Sequence, residues 1–188
     1  MTSGGSDPPE RRLGFAVKVL GRGGIRSHDT RRWRSGPDLG VSLGLLREIL
    51  DYLSETGISM YRLSSDFVPY ATHPDLPQFH RQLDDCAEEL AIVGRIASER
   101  GVRLSLHPSQ YVVLNAREEG IVEKSMADLD VQARLLDALG QGDEAVVVLH
   151  IGGVYGDRQA SLERFVRNYG RLSEPARRRL VIENDDVA

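Results

Sequence analysis

The sequence predicts an α/β fold, a (β/α)8 barrel of the TIM type represented here by about five strands and four helices. Three observations predict it. Strand-like and helix-like segments alternate as β-α-β-α-β-α-β-α-β, and strand starts recur about every forty residues, the rhythm of βα units on a parallel sheet. No Gly-x-Gly-x-x-Gly follows the first strand, so an open dinucleotide-binding sheet loses support. His107, His150 and Glu183 close three successive strands, and strand C-termini face the one mouth where such barrels gather their chemistry.

Each element follows from local pattern. Residues 1–12 are rich in Gly, Ser, Pro and charge and read as a disordered tail, leaving 13–188 as a partial barrel domain. RLGFAVKV (12–19) reads as the first strand, and the Gly/Arg-rich stretch to about Leu39 as a loop. LGLLREILDYLSETG (43–57) carries apolar residues at helical spacing and stops at Gly57, since glycine takes the left-handed conformation that ends helices. ISMYRLSS (58–65) is the second strand, followed by the proline-rich loop FVPYATHPDLP. Phe79 to Arg100 reads as one long amphipathic helix ended by Gly101. VRLSLH (102–107) is the third strand, Ile121–Leu139 the third helix, and AVVVLH (145–150) a continuous apolar run typical of a strand covered on both faces. Leu162–Leu172 reads as helix and RLVIEN (179–184) as the fifth strand.

Composition narrows the class. The chain has 188 residues, 40% of them hydrophobic and 28% charged, as in a globular domain with a sizeable core. No apolar run is long enough to cross a bilayer, and MTSGGSDPPERR lacks the apolar centre of a signal peptide, so a cytoplasmic, non-membrane protein is expected. The lone Cys86 sits on an apolar helix face and reads as core packing. A net charge of −4 argues against a generic polyanion binder. A local basic patch nevertheless exists at Lys18, Arg22, Arg26, Arg31, Arg32 and Arg34, where a phosphate-contacting loop and a solvated loop are equal readings.

The polar strand ends point to a metal. Two imidazoles and a carboxylate converging at one mouth make a divalent-ion site. A single strand-end histidine is more often a hydrogen-bonded loop residue, so the reading rests on the three at equivalent positions. His73, in the loop after the second strand, and Asp66, at its end, are further candidates from the same side. His28 in the Arg-rich loop and His80 at a helix start are expected to be solvated or capping.

The blocks HPSQYVVLN (107–115), YRLSSD (61–66), VLHIGGVYGD (148–157) and ENDD (183–186) together resemble the UV damage endonucleases, over the stretch from about Arg12 to the last residue. That resemblance implies a TIM-barrel enzyme that nicks duplex DNA 5′ of pyrimidine dimers, 6-4 photoproducts and abasic sites with a cluster of divalent metals, commonly manganese. It implies damaged double-stranded DNA as partner and nucleoid association when acting on it. Carried over residue by residue, His107, His150, Glu183 and, in a variable loop, His73 resemble metal ligands. Gln110 and Tyr111 resemble a pair that probes the duplex at the lesion. A lesion weakens stacking, so its extrusion costs less than that of a normal pair, and a ring and an amide can fill the space left. On residue types alone, a Tyr111 packed on the rim and a Gln110 capping a turn are equally good readings.

Two departures from the family pattern stand out. Its first strand often offers Tyr and Asn as further probes, where this chain has Phe15 and Val19; Phe15 retains a ring that can stack. The family also continues through three further strands bearing more His, Asp and Glu ligands and a carboxylatable lysine, so a barrel half beyond Ala188 is an expected partner. Two rivals are a metal-dependent sugar isomerase or epimerase on the same barrel, and an inactive fragment that needs a partner half.

Overall fold

A computed structural model describes residues 11–183. Its strands are β1 (Gly14–Ala16), β2 (Met60–Leu63), β3 (Arg103–Leu106), β4 (Val147–His150) and β5 (Leu180–Glu183). They form one sheet in the order β1-β2-β3-β4-β5, every pair parallel. Sequential neighbours joined by helical crossovers are the arrangement of a barrel wall. The helices are α1 (Leu39–Thr56), α2 (Gln82–Asp85), α3 (Ala87–Glu99), α4 (Glu119–Ala138), α5 (Arg158–Tyr169) and α6 (Glu174–Arg179).

Side chains alternate across a strand, so the register assigns each residue to a face. Phe15 pairs with Tyr61, Tyr61 with Leu104, and Leu63 with Leu106, which pairs with Val147. This row faces the helices and, beyond Phe15, is buried. Leu43, Leu46, Ile49, Leu50 and Leu53 of α1 pack on it from outside, at the spacing that places them on one stripe. Asp38 caps α1 by accepting from the Val41 N–H, and Gly57, at φ 68°, ends it. At Gly94 of α3 a Cβ would lie 1.8 Å from the Leu139 carbonyl oxygen, so glycine is required where α3 meets the end of α4. The opposite face carries Ala16, Arg62, Ser105 and Val148, and continues upward to the strand-end residues.

Tertiary contacts changed four expectations. β1 stops at Ala16, because Val17 turns to φ 56° and the Lys18 N–H bonds back to the Ala16 carbonyl; Val19 then bridges Ile25 instead of extending the strand. The single helix expected over 79–100 is divided into α2 and α3 at Cys86, whose backbone leaves helical geometry. Gln82, held by the Pro69 and Phe79 carbonyls, ties α2 to the preceding loop. Cys86 itself is half-buried against the core, and burial raises its thiol pKa. The helix α6 was not anticipated, although Ser173 caps it and Pro175 stands in its first turn. Arg179, expected to open the last strand, ends α6 instead and is buried. Its guanidinium donates to Asp137 and to the carbonyls of Gln141, Gly142 and Ala145. Among the described residues six α-helical segments therefore stand where four were expected. Of the tail expected at 1–12 only Arg11 and Arg12 are described, and Arg12 donates to the Gly101 carbonyl.

Candidate metal centre

Three strand ends deliver three donors to one place. His107 follows the last residue of β3, on the face of Ser105; His150 and Glu183 are register partners at the ends of β4 and β5. The Nε2 atoms of His107 and His150 lie 3.0 Å apart, and a Glu183 carboxylate oxygen lies 3.3 Å from the first and 3.8 Å from the second. Among the described residues this is the one group of three or more His, Cys, Asp or Glu spaced to hold an ion. Ligands about 2.1 Å from one ion stand roughly 3.0–3.4 Å apart in octahedral or tetrahedral geometry, so two of the three separations fit directly and the third needs a small closure.

The donor chemistry fits as well. His107 Nδ1 lies 2.9 Å from the Pro108 carbonyl oxygen, an acceptor that holds the proton on Nδ1 and leaves the Nε2 lone pair facing the cluster. This is the outer-shell contact that orients a ligating imidazole. Proline at 108 ends the strand and turns the chain, so one short stretch supplies both ligand and orienting acceptor.

Two cavities open beside the cluster. One, of about 310 Å³, is lined by His107, His150, Gln110 and Gly152. The other, of about 470 Å³, is lined by His28, Asp66, His73, Tyr111, Lys124 and Asp128 among others. Ser109 and Val112 border both, so the turn after His107 is the wall between them. Gln110 therefore faces the histidine pair, while Tyr111 faces the larger cavity and is 76% exposed. Burial raises the Asp128 carboxyl pKa, against the hydrogen bond it accepts from Thr72. Burial likewise lowers the His28 pKa, against the opposing Asp66 and Asp29 carboxylates; His28, expected to be solvated or capping, is half-buried with its Nδ1 at 2.8 Å from Ser27 Oγ.

Other expected site residues lie elsewhere. His73 is outside the cluster: its Nδ1 accepts from the Asp75 N–H and its ring stands 6.1 Å from that of Tyr70. Phe15 is corrected from probe to packing residue. Its register with Tyr61 puts it on the helix side, edge-on to Tyr61 at 5.5 Å and to Tyr52 at 6.5 Å. Arg31, expected as a phosphate contact, has its guanidinium on the buried Asp29 carboxylate at 2.6 Å and on Asp38 at 3.3 Å. Its charge is answered within the loop, and the Arg31 hydrogen bonds hold the Asp29 pKa down at about 2. Arg22 pairs with Glu55, and Arg26 lines a groove with Glu48 and Asp51, so both lie along the acidic flank of α1. Arg32 is exposed, and no ion pair to it is seen among the described residues. The ENDD block extends past Glu183 into residues outside those described.

A clasp between two loops escaped sequence reasoning. Asn115, buried, donates to the Gly153 carbonyl at 2.9 Å and to Ser161 Oγ at 2.7 Å. It thus ties the loop that starts at His107 to the loop that follows His150. A Cβ on Gly152 would lie 2.5 Å from Asn115 Oδ1, and Gly152 sits at φ 94°. The paired glycines after His150 were the available signal.

Comparison with known proteins shows the family and the fold. The sequence model of the UV-endonuclease UvdE family matches residues 41–188. A UV-damage endonuclease of Neurospora crassa is 41% identical over 154 residues, covering 78% of this chain and 23% of that protein. A UV DNA damage endonuclease of Clostridium perfringens is 33% identical over 141 residues, covering 75% and 34%. The chain thus spans about a quarter to a third of the length of these relatives. The crystal structure of SacUVDE superposes with a TM-score of 0.81 at 30% identity, over 95% of this chain and 62% of that one. A D-psicose 3-epimerase of Clostridium cellulolyticum, at 11% identity and a TM-score of 0.51, shares the fold alone.

Proposed function

The chain belongs to the UV-endonuclease UvdE family, and on that premise we propose that it is the metal-binding part of an endonuclease that nicks duplex DNA 5′ of UV photoproducts and related lesions. The observation that carries the reading is the convergence of His107, His150 and Glu183 at the ends of three adjacent parallel strands. These residues would hold a divalent cation, manganese by family resemblance. When bound, such an ion supplies positive charge to a phosphate and lowers the pKa of a coordinated water.

The chain's own residues set up the remainder. The Pro108 carbonyl orients His107, so its lone pair needs no reorganisation to face a ligand. Gln110 and Tyr111 sit on the turn that begins at His107, which would couple lesion probing to the metal through five consecutive residues, 107–111. Tyr111, exposed over the larger cavity, would stack in the space vacated by an extruded lesion, and Gln110 would offer an amide to the bases left unpaired. The reading includes a partner, the remaining βα units of the barrel, fused or in trans. The fold match to an epimerase brings no sugar-binding group into view, so the isomerase reading gains nothing from it.

The test is nicking of irradiated against intact duplex in manganese, with and without those βα units. Incision of irradiated DNA that rises on completing the barrel and vanishes in His150→Ala is expected. Replacing Gln110 and Tyr111 by Ala should lower selectivity for damaged duplex while leaving manganese binding unchanged. Manganese binding lost along with selectivity would mean that the pair is structural, and a completed barrel that ignores irradiated DNA would end the proposal.

A further inference from the structure

We infer that Arg117, Tyr155 and Arg164 form a phosphodiester grip beside the metal cluster, which holds the DNA backbone independently of the lesion. This rests on the endonuclease reading for its ligand and adds a second contact site to it.

Arg117 and Tyr155 stand on the loops that follow His107 and His150, and Arg164 stands on α5 behind the second loop. Tyr155 follows His150 by five positions, at φ 53°, an uncommon conformation for a tyrosine. The Arg117 and Arg164 guanidinium carbons lie 5.6 and 5.5 Å from the centre of its ring. Both distances are within the range of a cation–π contact. Each arginine is also pinned by a backbone acceptor: Arg117 donates to the Tyr155 carbonyl, and Arg164 Nε to the Asn115 carbonyl at 2.8 Å. The Asn115 clasp and Gly152 hold the two loops in register, so the grip is fixed relative to the metal ligands.

The charge of this cluster is unanswered. Among the described residues neither guanidinium has a carboxylate within ion-pair distance, whereas Arg31, Arg100, Arg134, Arg171 and Arg178 all do. Three of the acids close in sequence are used elsewhere. Asp157 caps α5 through the Ala160 N–H, Glu119 pairs with Arg171, and Glu163 accepts from Gln159. Arg164 Nη2 is buried without a hydrogen-bond partner, so its charge is poorly solvated as well as uncompensated. Two like charges cost energy when held together, and a polyanion relieves that cost. Arg117, exposed, retains donors for a phosphate oxygen, and Arg164 acts as the positioning residue beneath it. The Tyr155 ring, 38% exposed, keeps the guanidinium planes in place.

The test measures binding, not cleavage. The 188-residue chain is titrated with a short duplex, intact or irradiated, in metal-free buffer over a range of salt, with anisotropy as readout and thermal melting as a check on folding. Arg117→Ala should weaken both duplexes about equally, by about fivefold, and flatten the log affinity against log salt slope by about one unit, as loss of one phosphate contact does. Arg117→Lys should recover the salt slope but only part of the affinity, since an ammonium keeps the charge and loses the planar stack. Unchanged affinity and slope in a folded Arg117→Ala chain would overturn the grip while leaving the endonuclease reading intact. A loss confined to irradiated duplex would also overturn it, because it would make Arg117 a lesion contact. No binding of either duplex by the parent chain would overturn the grip, whereas salt-dependent binding that Arg117→Ala weakens, with no incision in manganese once the barrel is completed, would leave the grip standing and end the nuclease reading.

Discussion

His107 Nε2 lies 3.0 Å from His150 Nε2, closer than two neutral imidazoles approach unless a proton or a cation lies between them. With the His107 proton held on Nδ1 by Pro108, that Nε2 is an acceptor, and the contact is complete only with a donor or a metal opposite.

The first prediction follows from this contact. Manganese titrated into the chain should bind through these donors, and His150→Ala should lower affinity at least tenfold, by analogy with the loss of orienting or ligating partners at metal sites. Calorimetry or manganese EPR reads the change. His73→Ala, outside the cluster, should leave this binding where it was; equal losses in both variants would show that the cluster is not the binding site.

A second prediction concerns the clasp. Gly152→Ala should destabilise the chain by about 1–3 kcal/mol, since the added Cβ meets Asn115 Oδ1 at 2.5 Å and the backbone is held at φ 94°. Gly153→Ala meets nothing within 4 Å and should be close to neutral. Thermal melting of the pair separates a local steric requirement from general intolerance of the loop.

The Asp29 clamp gives a pH dependence. Its carboxyl pKa is held down at about 2 in the folded chain, below the usual 3.8, because Arg31 and backbone N–H groups favour the charged form. A depressed pKa stabilises the fold above the unfolded value, and this share is lost as pH falls from about 4 toward 2. Asp29→Asn should remove that segment of the acid-unfolding curve and cost about 1–3 kcal/mol at neutral pH, from broken buried hydrogen bonds. An acid transition identical in the two chains would exclude the clamp as its source.

The open edge gives a fourth. Val181 and Ile182 of β5 are 39% and 44% exposed, and Val166 of the neighbouring α5 is 67% exposed. An exposed apolar strand at the end of a sheet promotes pairing with another chain. The chain should associate at micromolar concentration, and Ile182→Lys should shift it toward monomer in light scattering; a parent chain that is already monomeric would refute the idea.

Much of this molecule is written in local pattern. The alternation of strand and helix needs only hydrophobic periodicity and glycine stops such as Gly57, both visible within a dozen residues. The convergence of His107, His150 and Glu183 was legible for a related reason. A histidine or glutamate that ends an apolar run stands at a strand terminus, and parallel strands align their termini without further information. Membership of the family was legible in the His-Pro-Ser-Gln-Tyr and His-Ile-Gly-Gly-Val-Tyr-Gly blocks.

What tertiary structure alone decided involves partners distant in sequence. Phe15 looked like a probe until its register with Tyr61, forty-six positions on, turned it toward the helices; in a strand, a shift of one residue reverses the face. Arg31 looked like a free cation until Asp29 was found buried beneath it. Arg179 read as the start of a strand until Asp137 and three carbonyls enclosed it. Asn115 and Gly152 carried no mark of being each other's steric limit, 37 residues apart. Periodicity states which residues seek burial, but which charge meets which, and how closely two loops approach, depends on strand register and packing that no short window of sequence contains.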